Sequence, residues 1–245
     1  MRTGGASVGL SGFPRRPTTS GALAAGCLLA ADAVGILLTR PLGRPWLIGW
    51  LLAAAVFGCF LPGWANQVTV ARAHLAGFGF AFALVPSTFA LLAGTVALAG
   101  LSDVLDGAVA RWFEGASPLG GALDPVVDGV FFGAVAVGLA AGGAYPAWLA
   151  AVVVLRYLLP ALAGALLLLS GRKPVLRHTP LGQASTVVIA VLLGGVGLLR
   201  AVGRDTGLLV SFSEALIPLA ALATFGNLFW ANRRAIAGSA GAFRG

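Results

Sequence analysis

Long apolar runs follow one another along this chain with only short polar breaks, and that feature removes most folds from consideration. The runs fall at about 21–39, 46–62, 70–85, 87–110, 119–141, 146–169, 181–199 and 208–231. Each approaches the roughly 20 residues that a helix needs to cross about 30 Å of hydrocarbon. Strand-type alternation is absent from them, and a backbone in lipid must satisfy its hydrogen bonds within a helix or a closed barrel. The expectation is an all-α integral membrane protein with eight spans. Composition agrees: 58% of the 245 residues are hydrophobic and 10% are charged, where soluble domains carry roughly a quarter charged.

Turn and cap chemistry separates the runs. Pro86 with Ser87, "GGAYP" at 142–146, "GRKP" at 171–174 and "GRDTG" at 203–207 all lie between apolar segments. Residues 1–20, rich in Gly, Ser, Pro and Arg, read as a disordered cytoplasmic tail. Cys27 and Cys59 lack metal-ligand spacing and read as small packing residues.

The net charge of +8 is spread along the chain, which suits loops beside anionic headgroups and does not make a nucleic-acid patch. With a cytoplasmic N-terminus, the inner segments carry Arg2, Arg15, Arg16, Arg72, Arg111, Arg172, Lys173, Arg177, Arg233, Arg234 and Arg244, and the outer loops Arg40, Arg44, Arg200 and Arg204. Eleven against four selects this orientation, with residues 103–128 at the cytoplasmic ends of two consecutive helices.

That stretch, "DVLDGAVARWFEGASPLGGALDPVVD", holds Asp103, Asp106, Asp124 and Asp128, half of the eight acidic residues in the chain. Asp103 and Asp106 are i and i+3 on a helix, so both project from one face with Gly107 and Ala110 continuing the stripe. Asp124 and Asp128 are i and i+4 on the next helix, which the short connection makes antiparallel. Four carboxylates converging in a partly dry site require a positive group between them. Oxygen-only donors select a hard cation such as Mg²⁺ or Mn²⁺, and two such ions would form a clamp for phosphoryl chemistry.

The pattern Asp103-x-x-Asp106-Gly107-x-x-Ala110-Arg111, eight residues, then Gly120-x-x-x-Asp124-x-x-x-Asp128 resembles the signature of the CDP-alcohol phosphatidyltransferases at every fixed position. Upstream, Asn66, Thr69 and Arg72 in "NQVTVAR" are similar to an Asn-x-x-Thr-x-x-Arg segment of that family. The resemblance implies a six-helix core. It divides the chain into the tail, a two-helix membrane extension at 21–62, a phosphatidyltransferase domain at 63–235 and a C-terminal tail at 236–245. It also implies transfer of a phosphatidyl group from a donor such as CDP-diacylglycerol to the hydroxyl of a small alcohol, with release of CMP. By the same resemblance Asp103, Asp106 and Asp124 would ligate a pair of divalent ions. Asp128 would take the acceptor proton while touching one metal, and Gly107, Ala110, Arg111 and Gly120 would line the cytidine and phosphate pocket. A homodimer in the cell (plasma) membrane, active at its cytoplasmic face, completes the expectation.

For the acceptor, Arg156 stands out because an unpaired guanidinium within an apolar span is expensive. It is the first candidate for a phosphate seat, and Arg177 the second. "LDPVVD" at 123–128 is similar to the glycerol 3-phosphate and inositol phosphate branches, although Gly129 and Gln183 stand where those branches often carry basic residues. The acceptor is thus read as a phosphorylated polyol.

Asp32 lies at mid-membrane depth outside this core, as the partner of an arginine or the mark of a re-entrant segment. Glu214 is read as an acid at a helix N-terminus and His74 as structural. Trp46, Trp64, Trp112, Trp148 and Trp230 fall near span ends, as an interfacial belt requires. The rival readings are a cation or proton transporter using the clustered acids, and an inactive membrane scaffold.

Overall fold

A computed structural model describes residues 16–41, 43–109, 118–169 and 180–237. They form eight α-helices: α1 (Thr19–Thr39), α2 (Arg44–Cys59), α3 (Trp64–Ala83), α4 (Phe89–Val109), α5 (Pro118–Ala141), α6 (Ala147–Leu169), α7 (Pro180–Ala201) and α8 (Gly207–Ala237), with a 3-10 turn at Pro86–Thr88 before α4. The described residues contain no strand.

Six of the described helices are long and apolar enough to cross a membrane, where the eight apolar runs of the sequence predict eight. The shortfall lies in α2 and α3. With 16 residues, α2 reaches only about 24 Å at 1.5 Å per residue. Helix α3 is long enough, but it carries Asn66, Gln67, Thr69, Arg72 and His74, all buried against other helices instead of facing lipid.

Helices α3, α4, α7, α8, α6 and α5 form a closed ring, each packed on the next and α5 packed again on α3. The two remaining helices, α1 and α2, pack on each other and on the outer side of α3. The interior is apolar, with Phe82 of α3, Leu92 of α4, Phe131 and Val135 of α5, Leu149 of α6, Leu193 of α7 and Ile217 of α8 in one buried cluster. Exposed leucines and valines cover much of the outside, as expected of a lipid-facing surface. Where α5 crosses α3 the backbones meet closely: a Cβ added at Gly138 would lie 2.8 Å from the carbonyl oxygen of Phe80. A larger residue there would push the central helices apart.

The extension is stitched to the core by its polar ends. Thr18 caps α1 by accepting from the Gly21 amide (3.0 Å) and donates its hydroxyl to the Leu61 carbonyl (3.0 Å). The Gln67 amide of α3 donates to the carbonyls of Gly58 (3.0 Å) and Leu61 (2.7 Å). A helix leaves its last carbonyls without intrahelical partners, and at the end of α2 the Thr18 amide (to Cys59, 2.8 Å) and the Gln67 side chain (to Gly58) both donate to them.

At the opposite end of the bundle are the turns at 86–88, 142–146 and 202–206. Gly143 and Gly203 take positive φ there (71° and 69°), which glycine allows without a Cβ clash. Glu214, expected at a helix start, lies two turns into α8, which begins at Gly207 with no acid in its first turn. Trp46, Trp64, Trp148 and Trp230 are exposed on their helices, while Trp112 lies outside the described residues.

Candidate active site

The site is built on α3, whose Asn66, Thr69 and Arg72 recur every third residue and so lie along one side of the helix. Arg72 is 1% exposed. Its guanidinium contacts Asp128 of α5 through Nη1, pairs with Asp103 of α4 through Nη2 (3.2 Å), and donates from Nε to the Ser102 hydroxyl (3.2 Å). Ser102 in turn donates to the Ala99 carbonyl (2.7 Å), which fixes its oxygen as an acceptor for the arginine. One turn earlier on α3, the Thr69 hydroxyl donates to the Asp124 carboxylate (2.9 Å). A planar guanidinium suits this task because its N–H groups can serve several oxygens at once.

The structure therefore brings Asp103, Asp124 and Asp128 to one end of the bundle, all against α3. They differ in access. The Asp103 side chain is 62% exposed and that of Asp128 is 12% exposed, so one carboxylate faces outward and the other sits inside. The positive group that the clustered acids required is present in the protein itself, as Arg72. In the sequence Arg72 shows only as part of a motif and as one of the inner-segment charges, and nothing local singles out Ser102. A lone arginine six residues after Asn66, inside an apolar helix, was the available signal.

Among the described residues no group of three or more acidic, histidine or cysteine side chains lies close enough to hold a metal ion as the chains stand. The donor chemistry nonetheless fits one. Three carboxylates against one guanidinium carry a formal charge of −2, and every donor is a hard oxygen. Asp106 and Gly107 lie on the last turns of α4 and Gly120 near the start of α5, but what surrounds their side-chain positions lies outside the described residues. Ala110, Arg111 and Arg177 are also outside them.

Arg156 is 4% exposed on α6. Its Nη2 donates to the Gly182 carbonyl (3.2 Å), the Thr186 hydroxyl (3.1 Å) and the Ser185 hydroxyl of α7, and its Nε is buried without a hydrogen-bond partner. No carboxylate pairs with it among the described residues. Gly129, beside Asp128, is pressed on Tyr157 of α6: an added Cβ would lie 2.7 Å from the Tyr157 Cβ. Any side chain at this position would require α6 to give way.

Asp32 of α1 pairs with neither an arginine nor a re-entrant turn. Its Oδ2 lies 2.6 Å from Nδ1 of His74 on α3, and both residues are buried. The rest of the histidine ring is buried as well, with Nε2 lacking a hydrogen-bond partner.

Residues 63–226 match the profile of the CDP-alcohol phosphatidyltransferases. The chain belongs to this family, and the match contains all four aspartates together with α3. The family uses divalent metal ions. Among individual proteins, the chain is 36% identical over 92 residues to a probable CMP-forming cardiolipin synthase of Drosophila melanogaster, covering 37% of this chain and 28% of that protein. It is 34% identical over 92 residues to the human CMP-forming cardiolipin synthase, covering 37% and 30%. The rat enzyme is 33% identical over 110 residues, covering 44% and 36%. The matched segments thus span about a third of these curated relatives.

Proposed function

We propose that this protein transfers a phosphatidyl group from CDP-diacylglycerol to an alcohol, releasing CMP, as a step of phospholipid biosynthesis. The observation that carries this reading is the family match over α3, α4 and α5, whose Asp103, Asp124 and Asp128 gather around Arg72 and Thr69. In this proposal Asp103, Asp106, Asp124 and Asp128 hold Mg²⁺ or Mn²⁺, and Gly107, Ala110, Arg111 and Gly120 line the nucleotide side. The bound ions would neutralise the pyrophosphate and the departing phosphate.

The remaining chemistry belongs to the chain. Asp128 takes the proton of the acceptor hydroxyl, whose oxygen forms the new bond to phosphorus as the bond to CMP breaks and CMP leaves with its electrons. Arg72 holds the Asp128 carboxylate in place for that transfer, and Thr69 orients Asp124. Asp103, the exposed member, faces the side from which a donor headgroup arrives.

The acceptor in this reading bears a phosphate, with Arg156 as its seat and glycerol 3-phosphate or inositol phosphate as the substrate class. Support comes from a guanidinium buried on α6 with no carboxylate partner among the described residues. Arg177 is proposed beside it on sequence grounds. The cardiolipin synthases among the relatives favour a second reading, in which the alcohol belongs to the headgroup of a phospholipid. The proposal places the protein in the plasma membrane as a homodimer, with its site at the cytoplasmic face.

The test uses purified full-length protein with CDP-diacylglycerol, Mg²⁺ or Mn²⁺ and a panel of glycerol 3-phosphate, inositol phosphate, serine and phosphatidylglycerol. Release of CMP with one acceptor, and mass spectrometry of the lipid formed, identify the reaction. Asp128→Asn is expected to abolish it while helical circular dichroism is retained. A wild-type protein that is inert with every acceptor yet moves cations into liposomes would overturn the reading in favour of a transporter.

A further inference from the structure

At the end of the bundle remote from the aspartates lies a cavity of about 290 Å³, lined by Pro86, Phe89, Arg200, Arg204, Asp205 and Thr206. Nothing in phosphatidyl transfer uses it. We propose that this cavity binds the phosphodiester of an anionic headgroup, through the guanidinium groups of Arg200 and Arg204.

Charge is the first reason. Neither arginine makes an ion pair among the described residues. Arg200 donates from Nε to the Thr206 hydroxyl (3.3 Å), and its guanidinium carbon sits 5.8 Å from the centre of the Phe89 ring. Those two contacts orient the fork while leaving its terminal N–H groups without an anion, and a planar fork of this kind suits phosphate oxygens. The one acid present, Asp205, accepts from the Gly207 amide at the start of α8 (3.2 Å). Two arginines against one aspartate leave the cavity with a formal charge of +1.

Position is the second reason. The apolar span of α7 ends at Ala201 and that of α8 starts at Gly207, so the cavity lies where both helices leave the hydrocarbon, at headgroup depth. Arginines at this end run against the orientation bias, which concentrates positive charge at the other face. Their presence calls for a local partner, and a lipid phosphate is the anion most abundant at that depth. The volume suits a headgroup and is at the lower end of the range for small-molecule sites, about 300 Å³ and upward. Free phosphate offers the same oxygens, so the experiment separates the two sources.

Full-length protein in dodecyl maltoside is titrated with dioctanoyl phosphatidylserine, an anionic phosphodiester with no free hydroxyl to act as acceptor, with dioctanoyl phosphatidylcholine or with inorganic phosphate, and the thermal unfolding midpoint is followed. The anionic lipid is expected to raise it saturably and the zwitterionic lipid to leave it unchanged. Arg200→Gln with Arg204→Gln should weaken the apparent affinity by about tenfold or more, the scale of one lost charge-assisted contact. Arg204→Gln alone, at an exposed position, serves if the double variant does not fold and should weaken it severalfold. Asp128→Asn should keep the full response, which separates this site from the proposed donor site. A response to inorganic phosphate equal to that of the lipid would assign free phosphate as the ligand. An equal response to phosphatidylcholine, or one that survives loss of the arginines, overturns the proposal.

Discussion

Arg72 on α3 and Asp128 on α5 meet side chain to side chain across 56 residues of sequence, inside the bundle and beside two further carboxylates. A charge pair with this little access to solvent is more costly to break than to form: taking both ions from water consumes most of their attraction, and removing one strands the other. Arg72→Met is accordingly expected to destabilise the protein by about 3–5 kcal/mol. Arg72→Lys keeps the charge but cannot serve Asp128, Asp103 and Ser102 together. It should restore part of the stability and little of the CMP release. Unfolding in mixed micelles and the transfer assay measure the two effects separately.

Thr69 makes a smaller, more specific contribution. Thr69→Val keeps the shape and removes the donor to Asp124. Stability should fall by about 0.5–1.5 kcal/mol, the usual net value of one hydrogen bond. Transfer should fall by more than that loss explains, since Asp124 is left unoriented, and Thr69→Ser should recover it. Equal activity in Thr69→Val and wild type would remove Thr69 from the site.

The Asp32–His74 contact joins the extension to the core, and its worth can be isolated by a double-mutant cycle. Asp32→Leu and His74→Leu should each destabilise, because each leaves a buried polar partner, at about 1–3 kcal/mol. Together they should cost less than their sum, with a coupling of about 0.5–3 kcal/mol. Strict additivity would mean that the two side chains do not interact.

Gly129→Ala tests the close packing behind Asp128. The added methyl meets the Tyr157 Cβ, which is fixed to backbone and cannot swing aside, so α5 and α6 must separate. A loss of about 1–3 kcal/mol is expected, with transfer reduced because Asp128 moves with its helix. Unchanged stability would show that the two helices yield freely.

Tyr145, in the turn between α5 and α6, gives a pH signature. Burial pushes its hydroxyl up from 10 to about 12, and the hydroxyl bonds the Ser213 oxygen at 2.6 Å. The folded state then holds the proton more tightly than the unfolded state. The contribution is complete below pH 10 and is lost as pH rises through about 12. Tyr145→Phe should flatten the fall in melting temperature over that window, while the wild type keeps it.

Much of the fold could be read from local pattern. Apolar runs marked the helices and Pro86, Gly143 and Gly203 their turns, because hydropathy and turn chemistry act over a few residues. Span number was harder, since α3 is as long as a membrane helix yet buries its polar residues within the bundle, and burial is not a local property. The carboxylates were legible because i and i+3 or i+4 spacing is itself geometry.

The sequence by itself determined the helical membrane character of the chain, and it set which acids share a face on α4 and on α5. Only the tertiary structure decided what neutralises them: Arg72 reaches Asp103 and Asp128 because α3 packs between α4 and α5. It likewise paired Asp32 with His74 and placed Arg200 over Phe89. The physical reason is range. Side-chain direction along one helix follows from a 3.6-residue repeat, whereas a charge finds its partner only after helices distant in sequence have packed.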